Sequence, residues 1–344
     1  MMAKILSGLG LCWLMLPAVA LSASAEQPKP AVMTPRAVHA VMTDIVPVAG
    51  KYWMAAGERG HILQSKDGVH WQQMPVPLQS NLNSVYFSDA IHGWAVGHDA
   101  SILHSADGGA SWQIQQYLPE LDKPLFDIYF KDEKQGIAVG AYGMFYRTAD
   151  AGQTWTAEFH LELASADDQQ FLLELKDSDP EGYAVEAASV LPHFNRLYAQ
   201  GETLYLVGEA GFFATSLDFG QTWQRQAEFY HGSLFGIGKT KANTLIAAGL
   251  RGHVFRSVDE GVSWQQIALP SPATLNSVLA DKTSGRVYLL GNAGTLLVSQ
   301  DDGQTFTAMP QPDGKAILNA VVVGEQLVLA TETGIKSIKL TESK

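Results

Sequence analysis

The stretch Gly97-His98-Asp99-Ala100-Ser101-Ile102-Leu103-His104-Ser105-Ala106-Asp107-Gly108-Gly109-Ala110-Ser111-Trp112 decides the architecture, because close variants of it recur from one end of the chain to the other. Its second half, Ser105-x-Asp107-x-Gly109-x-Ser111-Trp112, has the form of an Asp-box. The pattern returns as Thr148 to Trp155, Ser216 to Trp223, Ser257 to Trp264 and, closing on phenylalanine, Ser299 to Phe306; a copy one residue shorter, Ser65 to Trp71, stands in front. The glycine that opens the turn ahead of each box gives the series Gly57, Gly97, Gly140, Gly208, Gly249 and Gly291, with Thr331 in a seventh, degenerate copy. Successive intervals are 40, 43, 68, 41, 42 and 40 residues, and a fixed period of this size marks a repeat architecture rather than independent domains.

Each unit begins with a short alternating run such as Leu82 to Phe87, Leu125 to Phe130 or Leu275 to Leu279. A second apolar run follows, then a Gly-x-x-Gly-like turn, a third run, the box and a fourth strand. One antiparallel four-stranded sheet cannot bury both faces alone, but a closed ring of them can. The sequence therefore predicts an all-β fold, a seven-bladed β-propeller of four-stranded antiparallel blades. Asp67, Asp107, Asp150, Asp218, Asp259 and Asp301 are read as framework, since a residue used identically in every blade holds the turn, and the closing aromatic is expected to wedge between neighbouring sheets.

Two places break the period. The seventh unit, Ile317 to Leu340, stops before a fourth strand and leaves an open edge. Ala31 to Thr34 align with Trp71 to Met74, so the two termini are expected to share one blade. The 68-residue interval carries roughly 26 surplus residues, placed between blades 3 and 4 at about 158–190. Ser165 to Asp168 resembles a helix start with a capping box, and Asp179-Pro180-Glu181 a second start. Between Glu158 and Glu186 nine acids face one base, Lys176, so this short helical insertion is strongly acidic.

Residues 1–25 read as a secretory signal, with Lys4, an apolar run from Leu9 to Leu21 and Ala23-Ser24-Ala25 before Glu26. The apolar run is too short to span a bilayer. Residues 26–344 are then the exported propeller, expected in the periplasm, or in a thylakoid lumen if the host is photosynthetic. The single cysteine, Cys12, lies in the signal after Leu11, which argues against a lipid-modified cysteine and leaves no disulfide framework. The chain has 23 basic and 35 acidic residues, a net charge of −12, and losing Lys4 makes it −13. Such a balance argues against nucleic acid and anionic lipid.

The turns and the inter-blade connections are expected on one face, opposite the boxes. The varied turn residues Arg59, His98, Asp99, Tyr142, Glu209 and Arg251 ring that surface, and Asp44, Ser84, Asp127, Arg196, Gly236, Ser277 and Ala320 are matched on the innermost strands. Arg59, His98, Asp99, Tyr142, Arg196, Glu209, Arg251 and Asp127 are the candidate partner-binding set. A glycosidase needs two carboxylates about 5–10 Å apart, and Asp44, Asp127, Asp99 and Glu209 are the raw material for one. No nucleophile elbow, phosphate loop or zinc motif is present, and the ten histidines show no metal-ligand spacing. No catalytic residue, metal or cofactor is assigned.

Gly93-Trp94-Ala95-Val96-Gly97 with Ser101 to Trp112, and Gly136-Ile137-Ala138-Val139-Gly140 with Thr148 to Trp155, closely resemble repeats of the photosystem II assembly and stability factor family of seven-bladed propellers. The resemblance covers nearly the whole chain after the signal. It implies a non-enzymatic scaffold that holds a membrane protein, or a membrane-protein complex exposed to the periplasm, during assembly; the scaffold itself is not membrane-spanning and is expected to be a monomer. The chain departs from the family's basic patch in being arginine-poor, with Arg59, Arg196 and Arg251 on the ring face. The alternative is a glycan-binding or sialidase-like, glycoside-hydrolysing Asp-box propeller, but the sialidase Arg-Ile-Pro motif is absent. If the termini share a blade, removing residues 26 to 38 lowers the melting temperature sharply in thermal unfolding, and unchanged stability would remove that closure.

Overall fold

The computed structural model describes residues 27–309 and 311–340, so the signal segment and Cys12 lie outside the described residues. In the second repeat the strands Leu82–Phe87, Gly93–Gly97, Ile102–Ser105 and Gln113–Gln116 pair in chain order, each antiparallel to the last. The second strand is buried at all five positions, because neighbouring sheets cover both of its faces, while the fourth is half-exposed. The arrangement repeats as six four-stranded sheets and a seventh, Ile317–Val323, Gln326–Thr331 and Gly334–Lys339, of three. Each innermost strand packs on that of the next blade, and Ile317–Val323 on Met42–Val48, closing a seven-bladed ring.

The turn opens on glycine for a steric reason. A Cβ at Gly97 would lie 2.0 Å from the carbonyl of Asn81 in the arriving connection. The next amide, His98 N, donates to that same carbonyl at 2.8 Å, which puts turns and connections on one face. Gly108 N donates to Ile91 O at 2.8 Å, so the box lies with the hairpin of the first two strands on the opposite face.

In the box, Asp107 accepts from the Ser111 amide at 2.9 Å and the Ser111 hydroxyl at 2.6 Å, while Ser105 Oγ accepts from Gly109 N at 2.8 Å. Gly109 takes a φ of 83°, and a Cβ there would meet Met54 of the preceding blade at 2.6 Å. Trp112, 5% exposed, then packs edge-on to Phe87 in a cluster with Met54 and Ile62 of blade 1. Asp150, Asp218, Asp259 and Asp301 bond alike, and Asp67 in the shorter box takes the amides of Val69 and His70 and the His70 ring.

Ala31–Thr34 does not complete blade 7, which has three strands among the described residues. The segment is captured by blade 1 instead. Ala31 N donates to Val76 O at 2.9 Å, and the Gln73 side chain accepts from Thr34 N at 2.8 Å and donates to Val32 O at 3.0 Å. One amide side chain thus supplies both halves of a strand-like pairing and holds the segment away from Gly334–Lys339. The 3₁₀ turn Pro35–His39 then crosses to blade 7 and buries Ala37 among Val321, Val328 and Ala330. The termini meet at one seam through side-chain packing and do not share a sheet, which corrects the expectation of a shared blade.

The surplus between blades 3 and 4 forms helices α1 (Ala166–Ser178) and α2 (Pro180–Ala187), which pack on each other. Ser165 caps Asp168 N, and Asp179 caps Gly182 N ahead of Pro180, as their sequences predict. Within the helices only Leu172 is buried; Leu163 and Leu191 on either side join the core of blades 3 and 4. Among the described residues no helix is long and apolar enough to cross a membrane.

The box carboxylates give the ring an acid-sensitive element. The Ser263 hydroxyl and amide hold Asp259 down at about 2, and the Thr154 amide and hydroxyl hold Asp150 below its ordinary value. A carboxylate with a depressed folded pKa stabilises the fold fully above its unfolded value, about 4, and loses that contribution as pH falls through the folded value. The melting temperature should therefore fall below about pH 4, with a weaker acid dependence in Asp259→Asn; a melting temperature that does not change on acidification to about pH 2.5 would contradict this.

Candidate partner-binding face

The innermost strands carry a hydrogen-bonded belt around the central channel. Each has a bulge two residues before the belt position, at Met42/Asp44, Leu82/Ser84, Leu125/Asp127, Phe194/Arg196, Leu234/Gly236, Leu275/Ser277 and Ile317/Asn319. The blade 7 member is therefore Asn319, not the Ala320 expected from sequence; the degenerate repeat without its turn glycine hid the register. Ser84 Oγ lies 3.1 Å from Asp44 and 2.8 Å from Asp127, while Asn319 donates to Asp44 and accepts from Ser277 at 2.9 Å.

Both acids are spent on the protein. Asp44, 2% exposed, accepts from Ile45 N, Val85 N and Asn319; Asp127, 5% exposed, accepts from Ile128 N and Leu197 N and faces Arg196 at 3.6 Å. Burial pushes the Asp127 pKa up, opposed chiefly by the Arg196 charge. Every carboxylate oxygen of the two acids is engaged by a donor of the protein itself. Among the described residues no histidine and carboxylate group has the makings of a metal site.

A column that the sequence reading passed over sits one residue before the belt. Thr43, Asn83, Asn195 and Asn276 each donate from the side chain to the first carbonyl of the next blade's inner strand, at 2.6–2.9 Å. Phe126, Phe235 and Leu318 hold this position in blades 3, 5 and 7 without a polar group, and all three remain partly exposed. The signal is a Thr or Asn one residue ahead of the belt in blades 1, 2, 4 and 6, visible once the bulge is known.

The turn residues are spread around the ring rather than gathered. Arg59, Asp99, Tyr142 and Arg251 sit in the left-handed region at φ 53–60°, which projects their side chains at one equivalent place per blade. His98 is exposed, and the Asp99 carboxylate takes the Ser80 hydroxyl. In the blade 3–4 sector an aromatic cluster forms: Tyr142, 44% exposed, stands 4.6 Å edge-on from His193, which stacks on Phe126 at 5.8 Å and approaches Glu209 at 3.8 Å. Lys123 lies over the Tyr142 ring at 5.0 Å and donates to Ala188 O at 2.8 Å, which ties this patch to the end of the acidic insertion.

A family model described as "Photosynthesis system II assembly factor YCF48" matches residues 63–123. The photosystem II assembly protein Ycf48 of Thermosynechococcus vestitus is 30% identical over 279 residues, 74% of this chain and 79% of that protein. A solved structure of YCF48 bound to D1 peptide superposes with a TM-score of 0.67 at 21% identity, covering 92% of this chain and 98% of the other. An ancestral GH74 enzyme shares the ring at a TM-score of 0.62 and 14% identity, with 90% of this chain against 46% of that one. Asp127→Ala removes the carboxylate that Arg196 faces and should cost about 3–5 kcal/mol in urea unfolding, whereas an unchanged stability would release Asp127 from its framework role. On the identity it shares with the Thermosynechococcus protein across most of both chains, this chain belongs to the Ycf48 family of photosystem II assembly factors.

Proposed function

We propose that this chain is an exported, non-catalytic assembly factor that holds a segment of a membrane protein against its ring face. The observation that carries the reading is the contrast between the two sets of acids and aromatics. Channel and box carboxylates are fully bonded within the protein, while the ring face keeps Tyr142, His98, Arg59 and Arg251 exposed on rigid turns. Exposed groups on a rigid scaffold suit recognition. The relatives' names describe photosystem II assembly, and the peptide in the solved relative comes from D1, so a subunit of a membrane complex is the fitting class of client.

The ring-face set Arg59, His98, Asp99, Tyr142, Arg196, Glu209, Arg251 and Asp127 divides on this reading. Arg196 and Asp127 shape the channel rim, and the others contact the client, with the Tyr142, His193 and Phe126 patch as its aromatic anchor. The secretory signal supports action on the outer side of the inner membrane or in the lumen. Affinity capture of the tagged chain from gently solubilised membranes should recover a membrane protein, and Tyr142→Ala should reduce that recovery several-fold. Recovery of no membrane protein, or turnover of a sialoside or glucan that disappears in Asp127→Asn, would overturn the proposal.

A further inference from the structure

The seam where the chain's ends meet leaves a groove on the ring face of about 650 Å³, lined by Val32, Thr34, Arg36, His39, Glu58, Arg59 and His61. Blade 5 supplies an internal comparison. It repeats the triplet Arg59-Gly60-His61 as Arg251-Gly252-His253, with both arginines left-handed at φ 54° and 57°. There the space beside the histidine is filled by Tyr230, whose ring stands 5.0 Å from His253 and whose hydroxyl donates to Leu250 O at 3.0 Å. Glu58 N bonds Val41 O and Leu250 N bonds Ser233 O, so the residue of blade 1 that corresponds to Tyr230 is Val38. Val38 packs into the blade 7 seam with Val321 and Ala330, and the Val32 backbone covers His61 instead, leaving that residue 5% exposed at the floor of the groove.

The sign of the charge in this groove reverses that of the whole chain. Arg147, Arg196, Arg225 and Arg256 each pair with a carboxylate, whereas Arg36 and Arg59 are exposed and have no carboxylate partner among the described residues. The one acid present, Glu58, accepts from Val41 N. The volume suits a few residues of extended chain rather than a single ion, and Val32, 63% exposed, adds an apolar wall. Gln79 fixes the far side by donating to Pro30 O at 2.8 Å, so the groove is preformed.

We infer that this groove binds an acidic peptide segment, with Arg36 and Arg59 clamping its carboxylates. Guanidinium groups suit this task because they bond carboxylates in a two-point fork. A chain of net charge −12 repels acidic peptides elsewhere, so binding here is selective. The inference rests on the reading of the ring face as a protein-docking surface.

The test is fluorescence anisotropy with labelled tetra-glutamate, with labelled tetra-glutamine as control. The full chain should bind the first and not the second, and the double variant R36Q/R59Q should weaken binding by about tenfold or more. K51Q, in the exposed hairpin between the first two strands of blade 1 on the opposite face, should leave it unchanged, and both variants should melt like the parent because these side chains are exposed. Absence of tetra-glutamate binding, or an equal loss in K51Q, overturns the inference. Binding of inorganic phosphate without binding of tetra-glutamate overturns it too, by making the groove an ion site. A chain that captures a membrane protein yet ignores tetra-glutamate refutes the groove alone, and the opposite result refutes the scaffold reading alone.

Discussion

Asp44 holds three blades at once, and the ring depends on that junction. Its carboxylate accepts from Asn319 in the last blade, from Ile45 in its own strand, and from Ser84 and Val85 in the second. A propeller blade cannot bury its faces alone, so a ring that failed to close here would expose the facing sheets of blades 7 and 1. Among the described residues the seventh sheet has three strands, and the closing work falls to Asp44, the buried Ala37 and the Gln73 amide. Burial makes each of these bonds matter more, because an unpaired acceptor inside the channel would keep its full desolvation cost.

The belt is interrupted at Gly236. A Cβ at Gly236 would meet Val278 N at 2.8 Å, so blades 5 and 6 touch backbone to backbone where other blades interpose a side chain. Around blade 5, charged cross-links lie near the boxes. Lys239 bonds both oxygens of Glu260, which also takes the Tyr205 hydroxyl of blade 4. Asp302 of blade 6 receives Thr240, Thr244 and Arg256 of blade 5, and these bonds hold its pKa below the ordinary value against the effect of burial. Arg147 of blade 3 likewise bonds the carbonyls of Phe219 and Gly220 in blade 4, where the channel belt is intact, so these cross-links are a device the ring uses in more than one place.

Much of this was legible in the sequence because the box and turn obey strict local rules. Gly97 and Gly109 are fixed by a carbonyl and a methionine that any side chain would strike, so their spacing reports the fold directly. The helix starts at Ser165 and Asp179 were legible for the same reason, each cap being contained within four residues. Asn319 was misplaced because its register is set by a bulge, which leaves no mark of its own in a repeat that lacks the turn glycine. The path of Ala31–Thr34 was misread because a single side chain, Gln73, outcompetes a free strand edge, and alternation says nothing about such capture. The groove beside His61 escaped notice since it depends on which way Val38 turns.

These positions give the ring face a direction. The acidic insertion enters between blades 3 and 4, and the seam between blades 7 and 1 lies across the ring from it. The insertion is anchored at its ends by Leu163, Leu191, the Lys123 bond to Ala188 O and the Arg225 bond to Leu163 O, while its charged middle stays in solvent. Arg36 and Arg59 sit at the other pole. For the client proposed above, opposite charges at opposite ends of one face would discriminate between the two orientations of its chain, a task that net charge alone cannot perform. The two departures from the repeat, the insertion and the seam, thus give the ring face its asymmetry, whereas the repeated geometry of the boxes supplies the frame between them.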